Sequence, residues 1–136
     1  MPSVFSRIIA GAIPGRFVCT SERWVAFLDI NPVADGHVLL VPVHEAPRIQ
    51  HLPAETLADL GPMLARLTAA VRAATGCPAV NVIVNDGPEA GQEVPHAHLH
   101  IVPRFAGDGQ RVGLRHHAAS AESLDAMQAK LQAAWR

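Results

Sequence analysis

The segment Pro95-His96-Ala97-His98-Leu99-His100-Ile101-Val102 alternates histidine with apolar residues. In an extended chain successive side chains point to opposite faces, so the alternation predicts a strand with its three imidazoles on one face. The opposite, apolar face can then be buried in a core. Because an imidazole has an unperturbed pKa of about 6.5, such a row suits either metal binding or nucleophilic and acid–base chemistry.

Composition limits the classes of protein to which the chain can belong. Its 136 residues are 49% hydrophobic and 17% charged, which fits one folded domain and argues against a disordered chain or a disulfide scaffold. The net charge of −1 gives no general reason to bind nucleic acid or a membrane surface. Cys19 and Cys77 are predicted to be free, buried thiols. Without a signal-peptide core or a membrane span, the sequence predicts a cytoplasmic protein.

The periodicity of apolar residues predicts the elements of an α+β domain that spans residues 1–136. Strands are expected at 17–20, 24–28, 37–43 and 80–84, in addition to the histidine strand. An amphipathic helix follows Pro53, with its apolar stripe running from Leu57 to Ala74 and its end at Gly76. The core is expected over about 4–105, starting with a short helix at 4–10. A C-terminal helical tail is expected over about 120–135, capped by Ser120 or Ser123.

The histidine row allows three interpretations. It can be the exposed face of an edge strand, a metal site, or a centre for covalent catalysis on phosphorus. For the metal site, the candidates for a further ligand are Asp29, His37, His44 and Glu93. For the covalent centre, Gly87 and Gly91 in the preceding loop can turn backbone N–H groups toward an anion. The covalent interpretation is favoured because it uses both the histidines and the loop.

Four segments in order resemble the histidine triad (HIT) family of nucleotide-binding phosphohydrolases and nucleotidyl transferases. The motif His96–Val102 matches the family's three alternating histidines, and Asn85–Gln92 is similar to the loop that leads into them. The segments 5–14 and 26–42 resemble the family's N-terminal opening and central strands. The resemblance covers nearly the whole chain and implies a single HIT domain, with an antiparallel sheet of about five strands.

The resemblance implies a mechanism that uses no metal and no cofactor. His98 would attack the α-phosphorus of an adenine nucleotide and form a nucleotidyl-histidine intermediate, which water then hydrolyses to release AMP. His100 would donate to a phosphoryl oxygen, and His96 would orient the site and handle the leaving group. His37 would bond the far nitrogen of His98. Alternatives are a metal-dependent hydrolase with the three histidines as ligands, and a nucleotide-binding or scaffold protein with little turnover.

Further residues match the family's nucleotide-binding positions. Asp29 would hold the ribose hydroxyls and Ile30 would lie beside the base, whereas Asn85, Gly91 and Gln92 would lie near the ribose and phosphate. The expected partner is therefore a purine nucleotide of the AMP type. The family also implies a homodimer, in which the long helix and the 80–84 strand pair across a two-fold axis.

The motifs do not follow one branch of the family. Asp29 and Asn85 favour the Hint (phosphoramidase) branch, whereas the 86–92 loop and the 103–108 segment resemble the fragile-histidine-triad branch, which cleaves dinucleoside polyphosphates. Ser3 and Ser6 stand where some members have a zinc-binding Cys-x-x-Cys, so no such zinc is expected. Glu93 stands where better-known branches have a hydroxyl group that contacts phosphate.

Overall fold

Five antiparallel strands form one sheet in the computed structural model, which describes residues 1–111 and 113–135. The strands are β1 (Phe17–Thr20), β2 (Trp24–Leu28), β3 (Val38–Pro42), β4 (Ala79–Ile83) and β5 (Leu99–Arg104). They lie side by side in the order β1-β2-β3-β5-β4. The helices are α1 (Val4–Ile9), α2 (Ala54–Thr75) and α3 (Ala121–Ala134), with short 3-10 turns at Ile49–His51 and Pro88–Ala90. The predicted α+β fold is confirmed.

The long helix α2 covers one face of the sheet and forms the main core with it. Leu67 and Val71 of α2 are buried in one cluster with Trp24, Leu40 and Ile101. The helix ends where the sequence predicts, at Gly76, whose φ of +72° is favourable for glycine. The predicted apolar stripe is one turn shorter, since Ala74 is exposed.

The other face of the sheet is covered only in part. A smaller cluster there joins Phe5 of α1 to Val25, Phe27, Leu39 and Val41. The short helix α1 thus packs beside the central strands and leaves room for an open cavity next to it. All five residues of β3 are buried, as expected for a strand covered on both faces.

The C-terminal helix α3 has the predicted N-cap, because the Ser120 side chain accepts a hydrogen bond from the Ser123 N–H. Its apolar side is nevertheless exposed: Leu124, Met127, Leu131 and the adjacent Trp135 all face solvent. Of the two tryptophans, Trp24 is fully buried in the main core, whereas Trp135 is 87% exposed. None of the helices within the described ranges is long and apolar enough to cross a membrane.

The histidine segment is not a strand along its whole length. β5 begins at Leu99, which pairs with Leu40, so His96 and His98 precede the strand and only His100 lies within it. The chain turns at residues 94–96, just before β5. There the His96 N–H donates to the Val94 backbone oxygen (2.8 Å), and the Ala97 N–H donates to the Ala46 backbone oxygen (2.7 Å). The three imidazoles therefore do not form the single exposed row that the alternation predicts.

Candidate active site

A cavity of about 780 Å³ opens on the face of the sheet beside α1. Most of the site residues that the sequence predicts line this cavity: Asp29, Ile30, His37, Asn85, Gly91, His98 and His100. They come from the end of β2, the approach to β3, the 85–94 loop and the start of β5. Two predicted residues, His96 and Gln92, do not line it.

His98 has a defined tautomer. Its Nδ1 lies 2.7 Å from the backbone oxygen of His96, and since a carbonyl oxygen only accepts, His98 carries its proton on Nδ1. The Nε2 atom consequently bears a lone pair. The edge of the Phe5 ring packs against this imidazole at a centroid distance of 4.8 Å. Burial lowers the pKa of His98, so the ring is held neutral and nucleophilic.

His100 has the complementary tautomer. The backbone N–H of Val33 donates to His37 Nδ1 at 3.0 Å, so the His37 proton is on Nε2. That Nε2–H donates to His100 Nδ1 at 2.9 Å, which leaves the proton of a neutral His100 on its own Nε2. Burial and the neighbouring His98 and His37 lower the pKa of His100 to about 4. His100 is therefore an uncharged hydrogen-bond donor.

The partner of His37 differs from the predicted one. His37 bonds to His100, whereas the far nitrogen of His98 is bonded by the His96 carbonyl. The register of the sheet explains this, because Leu39 pairs with His100 and brings the start of β3 beside it. His37 thus controls the proton position on His100 rather than on His98.

His96 lies behind the cavity rather than in it. Its side chain is fully buried, with Nε2–H donating to the Pro42 backbone oxygen at 2.8 Å. Its Nδ1 accepts from the Ser3 hydroxyl at 2.7 Å. Both ring nitrogens are occupied by protein partners, so the expected contact between His96 and a leaving group is not what the structure shows. Its backbone oxygen instead orients His98.

Asp29 and Ile30 lie at one end of the cavity. One carboxylate oxygen of Asp29 accepts the Asn31 N–H at 2.8 Å, and the other is 3.6 Å from His37 Nε2. Asp29 is therefore both a turn residue and a lining residue. The Ile30 side chain is 82% exposed, which leaves an apolar surface free for contact with a ligand.

Gln92 stabilises the loop and does not face the cavity. Its side-chain oxygen accepts the Gly87 N–H at 2.8 Å, and its amide nitrogen donates to the backbone oxygens of Pro47 (2.8 Å) and Val94 (3.0 Å). These bonds use the amide group within the protein. The expected contact between Gln92 and phosphate is thus replaced by a structural role, which places the neighbouring Asn85 and Gly91 at the cavity.

Several lining residues were not predicted from the sequence. Phe5, Arg16 and Val94 belong to the cavity wall, together with Glu93, whose role the sequence left open. Phe5 could have been found, because an aromatic residue in a six-residue helix needs a packing partner. No sequence pattern predicts that Arg16 lines the cavity, because its position depends on how the chain turns into β1.

The comparisons with known proteins agree with this geometry. A HIT domain model matches residues 10–107, so the chain belongs to the HIT family. An uncharacterised HIT-like protein of Methanocaldococcus jannaschii is 40% identical over 109 residues, covering 80% of this chain and 84% of that one. The adenosine 5′-monophosphoramidase of Schizosaccharomyces pombe is 34% identical over 128 residues, covering 93% of both chains.

Solved structures show the same fold. A HIT family protein from Bacillus subtilis superimposes with a TM-score of 0.93 at 29% identity, over 100% of this chain and 99% of that one. A zinc-bound histidine triad family protein from Mycobacterium smegmatis has a TM-score of 0.73 at 33% identity, over 97% and 96% of the two chains. The second structure raises the question of whether this chain also has a zinc site.

Ser3 and Ser6, which stand where some family members have a zinc-binding Cys-x-x-Cys, do not fit that metal. The Ser3 hydroxyl is bonded to His96, and the Ser6 hydroxyl donates to Glu45 at 2.6 Å. Neutral hydroxyl groups are not among the usual ligands of zinc, which binds thiolate, imidazole and carboxylate groups. Ser3 and Ser6 therefore do not supply zinc ligands.

The three histidines also do not converge on one point as metal ligands would. His96 has both ring nitrogens occupied, as described above. Within the described residues, the group that brings three potential ligand atoms within 4.8 Å of one another is Asp29, His37 and His100. A metal there would have to displace the proton that His37 Nε2 donates to His100 Nδ1. The geometry thus favours hydrogen bonding over the alternative in which the three histidines bind a metal.

We predict that, as the pH is lowered, the kcat/KM of a reaction that uses neutral His98 and His100 falls with a midpoint below pH 6.5. The lowered pKa values of His98 and His100 keep both rings neutral as the pH decreases through 6.5, the ordinary value of an imidazole. The measurement is a pH–rate profile, corrected for the uncatalysed rate and repeated with a second leaving group. An acid limb with its midpoint at or above pH 6.5 would contradict the prediction.

Proposed function

We propose that this protein is a nucleotide hydrolase that cleaves the α-phosphate linkage of adenine nucleotides and releases AMP. The observation that carries the proposal is the pair of complementary imidazoles in one cavity. His98 presents a lone pair, and His100, whose ring centroid is 5.0 Å away, presents an N–H donor. A nucleophile beside a donor for the phosphoryl oxygen is the arrangement that phosphoryl-group chemistry needs.

The proposed reaction proceeds in two displacements. His98 Nε2 attacks the α-phosphorus, the bond from phosphorus to the leaving group breaks, and the leaving group departs with a proton from the surrounding water. The N–H of His100 stabilises the charge that develops on a phosphoryl oxygen. Water then attacks the phosphorus of the nucleotidyl-histidine, which breaks the N–P bond, regenerates neutral His98 and releases AMP. No cofactor takes part.

The nucleoside is proposed to occupy the Asp29 end of the cavity. The Asp29 carboxylate can accept hydrogen bonds from the ribose hydroxyls, and the exposed Ile30 offers an apolar surface to the base. Asn85 and Gly91 line the same cavity and would lie near the ribose and the phosphate. Adenine is favoured because related proteins include adenosine 5′-monophosphoramidases.

The leaving group is proposed to be an amine rather than a polyphosphate. The exposed carboxylate Glu93 lines the cavity that contains His98. A carboxylate repels the additional negative charges of a polyphosphate leaving group, whereas it attracts a leaving amine as that amine becomes protonated. Adenosine phosphoramidates are therefore the preferred substrates, with dinucleoside polyphosphates as the alternative class.

The direct test is AMP release from an adenosine phosphoramidate and from a diadenosine polyphosphate in the presence of excess EDTA. We expect AMP to be released faster from the phosphoramidate than from the diadenosine polyphosphate. Activity that appears only after a divalent metal is restored would support the metal-dependent alternative. Tight AMP binding without turnover of either substrate would support a nucleotide-binding protein without hydrolase activity.

We also propose that the chain forms a homodimer through β4. This strand lies at the edge of the sheet, and Val82 within it and Val84 just after it are 42% and 40% exposed. An unpaired, partly apolar edge strand is favourable for association. The proposal rests on this edge together with the family resemblance.

A further inference from the structure

Four residues link the N-terminus to the candidate nucleophile: Ser3, Ser6, Glu45 and His96, here called the Ser3 cluster. The Ser3 hydroxyl is 2.7 Å from His96 Nδ1. Since His96 Nε2–H donates to the Pro42 carbonyl, Nδ1 is the unprotonated nitrogen, and the Ser3 O–H must donate to it. The same Ser3 oxygen accepts the Ser6 N–H at 3.0 Å and thereby caps α1.

Glu45 holds Ser3 in this position. Its Oε1 atom accepts the Ser3 N–H at 2.7 Å and the Ser6 hydroxyl at 2.6 Å. These bonds from Ser6 and Ser3 lower the pKa of Glu45 to about 2, so the carboxylate is charged. The same oxygen lies 3.8 Å from His96 Nδ1. The cluster is thus a closed set of hydrogen bonds with every proton assigned.

The cluster reaches His98 by two routes. His96 is held by its ring through Ser3 and Pro42, and its backbone oxygen accepts the Nδ1–H of His98. In addition, the cap at Ser3 anchors α1, whose Phe5 packs against the His98 ring with an interplanar angle of 81°. One route fixes the tautomer of the nucleophile, and the other fixes the plane of its ring.

We infer that Ser3 and Glu45 are positioning residues for the His98 nucleophile and that they act on it through the hydrogen bonds of the Ser3 cluster. The inference rests on the proposed function for its effect on rate. Its effect on the tautomer of His98 does not depend on the substrate. Loss of the Ser3 hydroxyl leaves the buried Nδ1 of His96 without a partner, so the turn that carries the His96 carbonyl loses its fixed orientation.

The test compares Ser3→Ala with Ser120→Ala. Both serines cap a helix by accepting the N–H three residues later, at 3.0 and 3.1 Å, but Ser120 caps α3, which is far along the chain from the three histidines. We expect Ser3→Ala to lower kcat about tenfold with little change in KM, because one buried hydrogen bond is lost. Ser120→Ala should leave kcat unchanged, and Ser3→Thr, which retains the hydroxyl, should restore most of it.

A second readout separates positioning from a general loss of structure. The ¹⁵N NMR signals of the His98 ring report which nitrogen carries the proton, with or without turnover. We expect a single Nδ1–H tautomer in the wild type and in Ser120→Ala, and a mixture of tautomers in Ser3→Ala. If Ser3→Ala does not fold, Glu45→Ala takes its place, because Glu45 is exposed and its truncation leaves no cavity.

The outcomes distinguish this inference from the proposed function. An unchanged kcat and a single His98 tautomer in folded Ser3→Ala or Glu45→Ala would overturn the positioning role while leaving the hydrolase assignment intact. A wild type that shows the single tautomer but no AMP release would overturn the proposed function. In that case a tautomer mixture in Ser3→Ala would still support the cluster's effect on His98.

Discussion

Replacing His98 by alanine is expected to lower kcat for AMP release about 10⁴-fold or more, in line with the loss of other nucleophiles. Affinity for AMP should remain within about tenfold, because a nucleophile acts mainly in the transition state. His98 is 7% exposed and packs against Phe5, so the stability of the variant must be measured alongside its activity. Steady-state kinetics and AMP binding by calorimetry provide the two quantities.

A matched control for this experiment is His51→Ala, since His51 is exposed and does not line the cavity. A sharper form uses His98→Gly with added imidazole, which can enter the space left by the ring and replace the nucleophile. Recovery of activity in proportion to imidazole would support the proposed role. Turnover by His98→Ala close to the wild-type rate would place the nucleophile at another residue.

Replacing His100 by alanine is expected to lower kcat about 10²- to 10³-fold, which is the usual effect of removing one donor to a developing anion. The reason is that His37 Nε2–H bonds to His100 Nδ1 and so directs the remaining proton of His100 to Nε2. The centroids of the His100 and His37 rings are 5.2 Å apart. Truncation of His100 therefore also removes the Nδ1 atom that accepts the His37 Nε2–H. Single-turnover kinetics with saturating enzyme measure the chemical step directly.

The comparison variant is His100→Gln, which keeps an N–H donor without an ionisable ring. We expect it to retain more activity than His100→Ala and to keep the same affinity for AMP. Equal rates for the wild type and His100→Ala would show that this imidazole does not stabilise the transition state. A lower affinity with unchanged kcat would assign His100 to binding rather than to catalysis.

Local patterns in the sequence were sufficient for most of the fold. The apolar stripe and Gly76 predicted α2 because helix periodicity and a glycine end are local properties. Ser120 likewise predicted the start of α3. Trp135 could not be placed in this way, because whether an apolar side chain is covered depends on the elements around it and not on its neighbours in the chain.

The site required information that only the folded chain contains. The alternation of histidines indicated His98 and His100, which line the cavity, but the turn at His96 keeps its ring out of the cavity. His37 and His100 are brought together by the pairing of β3 with β5, which joins residues more than sixty positions apart. The role of Gln92 depended on three hydrogen-bond partners, none of which a sequence motif reveals.

The measurement that tests the central claim most directly is the stereochemical course at the α-phosphorus. The substrate is an adenosine phosphoramidate made chiral by sulfur at that phosphorus, hydrolysed in ¹⁸O-labelled water. Two in-line displacements, first by His98 and then by water, each invert the phosphorus and predict net retention of configuration. Net inversion would mean that water attacks the substrate directly, and it would contradict a nucleotidyl-histidine intermediate.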